Sequence, residues 1–317
     1  MSSANISVRT TPITDDSAYA VVQLDETQFP PRTFNGKIER NWWISSYSSL
    51  SRFHTVSHQS APIKQEISEA EIEIIPKPSP FSFPRGARHG SFLHLLFELI
   101  DFQNNDRLQM SAIIEEQLTK HLYNDVVLWT PILTNWFEQI LTFPLSQSLS
   151  LSTLMPSSKK VEMQFFIDMK PLQGYQVNKL LKQYDPLSAR AGEFQFQTVQ
   201  GYLKGFIDLT FEHDGKYYVL DYKSNHLGNE LSDYNQANIE NMMIEHRYDF
   251  QYQLYTLALH RLLRSRLPDY DYEKHIGGVY YTFIRGMQDN ADCGVYFNKP
   301  DFLLIDGLDK LFNGETL

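Results

Sequence analysis

The segment GYLKGFIDLTFEHDGKYYVLDYKSN, residues 201–225, decides the fold of this chain. Asp214-Gly215 stands between two aromatic-rich apolar runs. A two-residue Asp-Gly link between such runs signals a tight β-hairpin, because both turn positions need positive φ. Folding the chain there sets Leu209 opposite Leu220, Phe211 opposite Tyr218 and Ile207 opposite Tyr222, one expected apolar face. On the other face Asp208 falls opposite Asp221, and Lys223 lies two residues beyond Asp221 on the same side of its strand. Opposed side chains have Cβ atoms ~4.5–5.5 Å apart, and like charges there repel. On a half-buried sheet such a pair needs a shared proton or a cation. A hard divalent ion such as Mg²⁺, bound by one or two carboxylates with waters and a substrate phosphate, fits the pattern. The plainer alternative is a surface hairpin with solvated charges, and a bulge would shift the register.

Around this hairpin the periodicity alternates between helix and strand. Upstream it predicts helices over 90–102, 109–123 and 130–142, a strand over 160–168 and a helix over 172–184 that Asp185-Pro186 stops. Downstream it predicts helices over 232–246 and 248–266, a strand over 278–284, a short strand near Val295 and a terminal helix over 301–313. The expected fold class is α/β, a central mixed sheet flanked by helices. Residues 1–40 lack a period and read as an irregular tail. Residues 41–84 read as a short amphipathic helix from Trp42 to Phe53, then a proline-rich acidic linker. The ordered body is expected over 85–317.

Composition narrows the function classes. A hydrophobic share of 42% excludes wholesale disorder. The single cysteine, Cys293, excludes an internal disulfide framework and a thiolate zinc cluster, and suits a reducing compartment. There is no apolar run of membrane-spanning length and no secretory-type N-terminus, so a cytoplasmic location is expected. With 28 basic against 38 acidic residues, a net charge of −10 argues against a broad basic surface for nucleic acid. It leaves room for clustered carboxylates around a cation.

Several other residues fit such a site. His94 and Glu98 share a helix face, offering an imidazole ligand or, alternatively, a histidine satisfied by its neighbour. Glu162 sits on the polar face of its strand. Gln251 and Tyr255 lie one turn apart, able to hold a phosphate or simply to pack as core. Residues 247–266 carry four arginines against one aspartate, a locally basic helix suited to a nucleic-acid track.

Gly90-Ser-Phe-Leu-His94-x-x-x-Glu98, GFID ending at Asp208, the DYK of Asp221 to Lys223, and Gln251-x-x-x-Tyr255 occur in the order found in the RecB-type PD-(D/E)xK nucleases. The chain resembles that family over residues from about 40 to 313. The combination is specific where each motif alone is not, and Asp208 lacks a preceding proline, as is usual for this branch. The resemblance implies a restriction-endonuclease-like core joined by a linker to a superfamily 1 helicase, whose tail residues 1–40 would be. No G-x-x-x-x-G-K-[ST] phosphate loop occurs, so no ATP site is expected in these residues. It further implies His94, Asp208 and Asp221 as metal ligands, the Tyr222 backbone carbonyl as a fourth, and Lys223 as the catalytic lysine. Gln251 and Tyr255 match the family's additional motif, and Glu162 resembles an acidic position beside the metal. The expected cofactor is Mg²⁺, with Mn²⁺ as a substitute and Ca²⁺ as an unproductive occupant. Expected partners are single- and double-stranded DNA, RecC-like and RecD-like subunits, and RecA. The expected role is a DNA nuclease in double-strand break repair by recombination and in degradation of linear foreign DNA. The competing reading is a catalytically idle docking module for the same protein partners.

Overall fold

The structure is a computed structural model and describes residues 43–46, 78–103, 106–288 and 293–316. Strand β1 (Trp43–Ser46) precedes helices α1 (Ala87–Leu99), α2 (Arg107–Lys120) and α3 (Val126–Thr142). Strand β2 (Lys159–Gln173) leads into α4 (Gly174–Tyr184) and the short α5 (Pro186–Arg190). The hairpin follows as β3 (Thr198–His213) and β4 (Lys216–Lys223), then α6 (Gln236–Glu245), α7 (Tyr248–Arg266) and α8 (Tyr272–His275). Strands β5 (Ile276–Phe283) and β6 (Val295–Asn298) and helix α9 (Phe302–Phe312) complete the described chain.

The six strands form one mixed sheet in which β3 pairs with β1, β2 and β4, followed by β5 and β6. The β3–β4, β2–β3 and β5–β6 pairs are antiparallel, and β4 runs parallel to β5. This is the expected α/β class. Among the described residues no helix is long and apolar enough to cross a membrane. In place of the short helix expected over 42–53, residues 43–46 form strand β1, held by parallel pairing with residues 201–204 of β3. The rest of that piece, most of the linker and the N-terminal tail lie outside the described residues.

Some boundaries move for identifiable reasons. The helix expected from 172 starts at Gly174, because Leu172 and Gln173 still pair with Val199 and Thr198. A side chain at Gly174 would meet the Phe196 carbonyl at 2.5 Å, so the strand-to-helix corner needs glycine. Asp106 caps α2 by accepting from Leu108 and Gln109 N–H groups, which starts that helix at 107. The packed body also takes in Phe83, which is 1% exposed and lies before the expected start at Arg85.

Two apolar cores lie on opposite faces of the sheet. One gathers residues of α4, α6, α7 and α9, the other residues of α1, α2 and α3. Along β4 the alternation is regular: Val219 enters the first core, Leu220 and Tyr222 the second. Along β3 it is not. Val199, Leu203 and Ile207 belong to the first core, whereas Leu209 and Phe211 belong to the second. The single apolar face expected for Ile207, Leu209 and Phe211 is therefore divided at Asp208. Its neighbour strand breaks at the same level, with Met163 packed on the first core and Val161 on the second. Glu162 between them has φ 50°, a left-handed conformation that costs a non-glycine residue about 1–2 kcal/mol.

Candidate active site

The hairpin turns where the sequence places it, with Asp214 at φ 51° and Gly215 at φ 73°. Pairing runs in the expected register from His213–Lys216 to Leu209–Leu220. It stops one step short of Asp208 and Asp221. There Asp208 Oδ2 accepts the Tyr222 backbone N–H at 2.8 Å, so a side-chain carboxylate takes the place of a ladder carbonyl. Expected Ile207–Tyr222 pairing is absent from the ladder for the same reason. The Tyr222 ring lies flat on Phe97 of α1, with centroids 3.8 Å apart and planes 1° apart.

Asp221 and Lys223 point to the α7 side. Lys223 Nζ lies 2.5 Å from Asp221 Oδ2, a charge contact whose angle leaves that buried oxygen without an aligned hydrogen bond. The ammonium donates to Gln251 Oε1 at 2.9 Å and sits 3.9 Å from the centre of the Tyr248 ring. Gln251 is itself fixed: Tyr281 OH donates to its Oε1 at 3.1 Å, and its Nε2 donates to Tyr255 OH at 2.9 Å. Thr282 donates to the Asp221 main-chain carbonyl at 3.2 Å. The Lys223 head group is thus held by α7 and β5, while on Asp221 it is the main chain that β5 holds, which fixes a lysine rotamer that solvent would leave free.

From the other side α1 brings His94, whose Nδ1 lies 3.4 Å from Asp208 Oδ2. One ligand atom each from His94, Glu162 and Asp208 falls within 4.8 Å of the others, a spacing that suits one cation. The left-handed turn at Glu162 is what re-aims a strand side chain toward this point. Outlier backbone of this kind clusters at functional sites.

Burial and mutual charge shift the titration of these groups. Burial, reinforced by Asp208, pushes Asp221 up to about 6 despite the adjacent ammonium. Burial, with Asp208 and Glu98, also raises Glu162. Burial works against charging His94, yet the hydrogen bond and charge of Asp208 carry it up to about 8. Lys223 is raised as well, its burial outweighed chiefly by Asp221. Burial is the largest cause of both carboxylate shifts, with the charge of Asp208 adding to each, whereas His94 is raised by Asp208 against its burial. Donors of one imidazole and several carboxylates fit a hard or borderline divalent metal.

A family model described as the PD-(D/E)XK nuclease superfamily matches residues 70–301. The chain belongs to this superfamily. It is 40% identical to the RecBCD enzyme subunit RecB of Escherichia coli K12 over 316 residues, 96% of this chain and 26% of that protein. It is 33% identical to the same subunit of Haemophilus influenzae, covering 97% of this chain and 26% of that one. The corresponding Mycobacterium tuberculosis H37Rv subunit is 30% identical over 90% of this chain and 30% of its own length. The chain therefore spans about a quarter to a third of the relatives it matches.

Of the residues expected at the site, His94, Glu162 and Asp208 converge on one point, while Asp221, Lys223, Gln251 and Tyr255 form a separate linked chain, so Asp221 is not among the converging ligand atoms. His94 faces Asp208 while Glu98 is exposed, so the local histidine–glutamate alternative is not the arrangement found. Tyr255 is both site and core, being 5% exposed. The basic track expected along 247–266 is not an open one. Arg247 is buried against Asp249, and Arg261 and Arg264 both bond Asp309. Only Arg247 and Arg261 are largely spent inside the fold; Arg264 stays half-exposed and Arg266 is exposed, so the basic surface is confined to the end of α7. Sequence reading missed Tyr248 and Tyr281, which bracket Lys223; nothing in their local spacing marks them, since both contacts join distant segments.

Proposed function

We propose that this domain hydrolyses phosphodiester bonds in DNA with the help of Mg²⁺, as the nuclease part of a RecBCD-type helicase–nuclease. The observation that carries this reading is the convergence of His94, Glu162 and Asp208 ligand atoms within 4.8 Å beside the buried Asp221–Lys223 pair. His94, Asp208 and Asp221 would hold the cation, with Glu162 and the Tyr222 carbonyl completing the set. A bound divalent ion supplies Lewis-acid polarisation of a phosphoryl oxygen and lowers the pKa of water.

The protein's own groups do the rest. Lys223, held by Asp221 and Gln251, presents a fixed ammonium to the charge that grows on the phosphoryl oxygens in the transition state. Tyr248 and Tyr281 wall the ammonium in, 3.9 and 5.0 Å from their ring centres, and keep it from bulk water. Asp208 is kept in place by the Tyr222 N–H. Mn²⁺ is expected to substitute and Ca²⁺ to occupy the site without turnover. The relatives are named as subunits of the RecBCD enzyme, which supports RecC-like and RecD-like subunits as partners; action on broken DNA and RecA as a further partner belong to the same proposal and rest on the resemblance alone.

The test is cleavage of circular single-stranded DNA by the chain with Mg²⁺, Mn²⁺ or EDTA, beside Asp221→Ala and Lys223→Ala. The reading predicts metal-dependent cutting that both substitutions abolish. Cutting that survives EDTA, or survives Asp221→Ala, contradicts it.

A further inference from the structure

Arg285 follows β5 directly and is only 1% exposed, yet its five donated hydrogen bonds all go to main-chain carbonyls rather than to a carboxylate. Its Nε donates to the Ser224 carbonyl at 3.0 Å, one residue past Lys223. Its Nη1 donates to the carbonyls of Pro80, Phe81 and Phe83, and its Nη2 to that of Pro84 at 3.1 Å. Residues 80–84 are the stretch that leads into α1. One guanidinium therefore ties the exit of β4, which carries Asp221 and Lys223, to the entry of α1, which carries His94. Burial lowers its pKa to about 10, so the group stays charged at neutral pH.

A second contact closes the same junction from the helix side. A Cβ added at Gly90 would lie 3.0 Å from Ser224 Oγ, so α1 seats directly on the residue whose carbonyl Arg285 holds. His94 lies four residues on, over the same helix face. The seating of Gly90 on Ser224 thus sets where His94 stands relative to Asp208.

We infer that Arg285 is a positioning residue for the metal centre, fixing His94 on α1 against Asp208, Asp221 and Lys223 on the hairpin. The inference rests on the metal-centre reading above. Arginine is required because its rigid planar fork spreads over five carbonyls, the two N–H groups of Nη1 shared among three of them, whereas lysine offers three donors on a flexible stem. Groups that orient ligands without touching the metal typically contribute 10–100-fold to its affinity.

The experiment is direct Mn²⁺ binding to the full 317-residue chain, read by electron paramagnetic resonance of free Mn²⁺, for the wild type, Arg285→Lys and Gly90→Val. Circular dichroism at the same temperature certifies the fold of each. Gly90→Val leaves Arg285 in place and wedges α1 away from Ser224, so it decides the matter if Arg285→Lys does not fold. The expected result is a folded protein whose Mn²⁺ Kd is raised about 10–100-fold in each variant. Folded variants with the wild-type Kd overturn the inference and leave Arg285 as packing alone. A wild-type chain that binds no Mn²⁺ instead overturns the metal-centre reading on which it rests.

Discussion

The backbone N–H of Tyr222 donates to Asp208 Oδ2 at 2.8 Å, one step beyond the last paired residues of the hairpin. The same oxygen lies 3.4 Å from His94 Nδ1, so the carboxylate joins the sheet to the candidate metal centre. Asp208→Asn keeps an acceptor for Tyr222 but removes the charge. We expect it to melt near the wild type while losing Mn²⁺ binding. Asp208→Ala strands the buried N–H and is expected to cost a further ~1–3 kcal/mol in urea unfolding. Equal stabilities for the two variants would show that the hydrogen bond carries no weight.

Lys223 touches Asp221 and Gln251 but sits in no ligand group with His94, Glu162 and Asp208. Lys223→Met is accordingly expected to bind Mn²⁺ while DNA cleavage falls roughly 10²–10³-fold, the usual loss for one preorganised donor. Parallel isothermal titration and gel assays check this. Loss of cation binding together with cleavage would move Lys223 from chemistry to site assembly.

Phe97 holds the hairpin from behind, stacked on Tyr222 and packed against Phe137 at a centroid distance of 4.6 Å. Truncation to alanine opens a cavity in a core that is closed on all sides. Phe97→Ala is expected to lose ~3–5 kcal/mol, measured by denaturant unfolding. A loss below ~1 kcal/mol would mean that the second core collapses around the gap.

Asp309 joins α9 to α7 through Arg261 and Arg264, at 2.5 and 2.9 Å. Burial pushes its carboxyl upward, but the two guanidinium groups win and hold it below its ordinary value of 3.8. A depressed carboxylate contributes stability above its unfolded-state pKa and loses it as pH falls through the folded one. Asp309→Asn is therefore expected to destabilise by ~1–3 kcal/mol at pH 7, trimmed by solvent around the half-exposed Arg264. The gap to the wild type should narrow in thermal melts as pH falls below 3.8 and on through the lowered folded-state value of Asp309. A constant gap across pH would assign the effect to packing.

The hairpin was legible because three constraints agree there: an Asp-Gly turn that needs positive φ, strict alternation, and charged residues interrupting it at matching heights. The division at Asp208 was not. Parity counting assumes that every residue is extended, and nothing in the identity of Glu162 announces φ 50°. Spacing alone reads Glu162 as an ordinary polar-face residue, and in the sequence only the family resemblance sets it beside a metal. The arginines of α7 misled for a related reason. Local charge density does not reveal that Asp309, some 45 residues on, neutralises two of them. Arg285 carried no local signal, because its partners at 80–84 lie 201 to 205 residues away.

The most direct test of the metal-centre account is anomalous scattering at the manganese edge from a crystal of the chain grown with Mn²⁺. The account predicts a peak within coordinating distance of His94 and Asp208, with Glu162 or Asp221 also at the ion, and its loss in Asp208→Asn. A Mn²⁺ peak that avoids these side chains, or a site that stays empty at millimolar Mn²⁺, would contradict it.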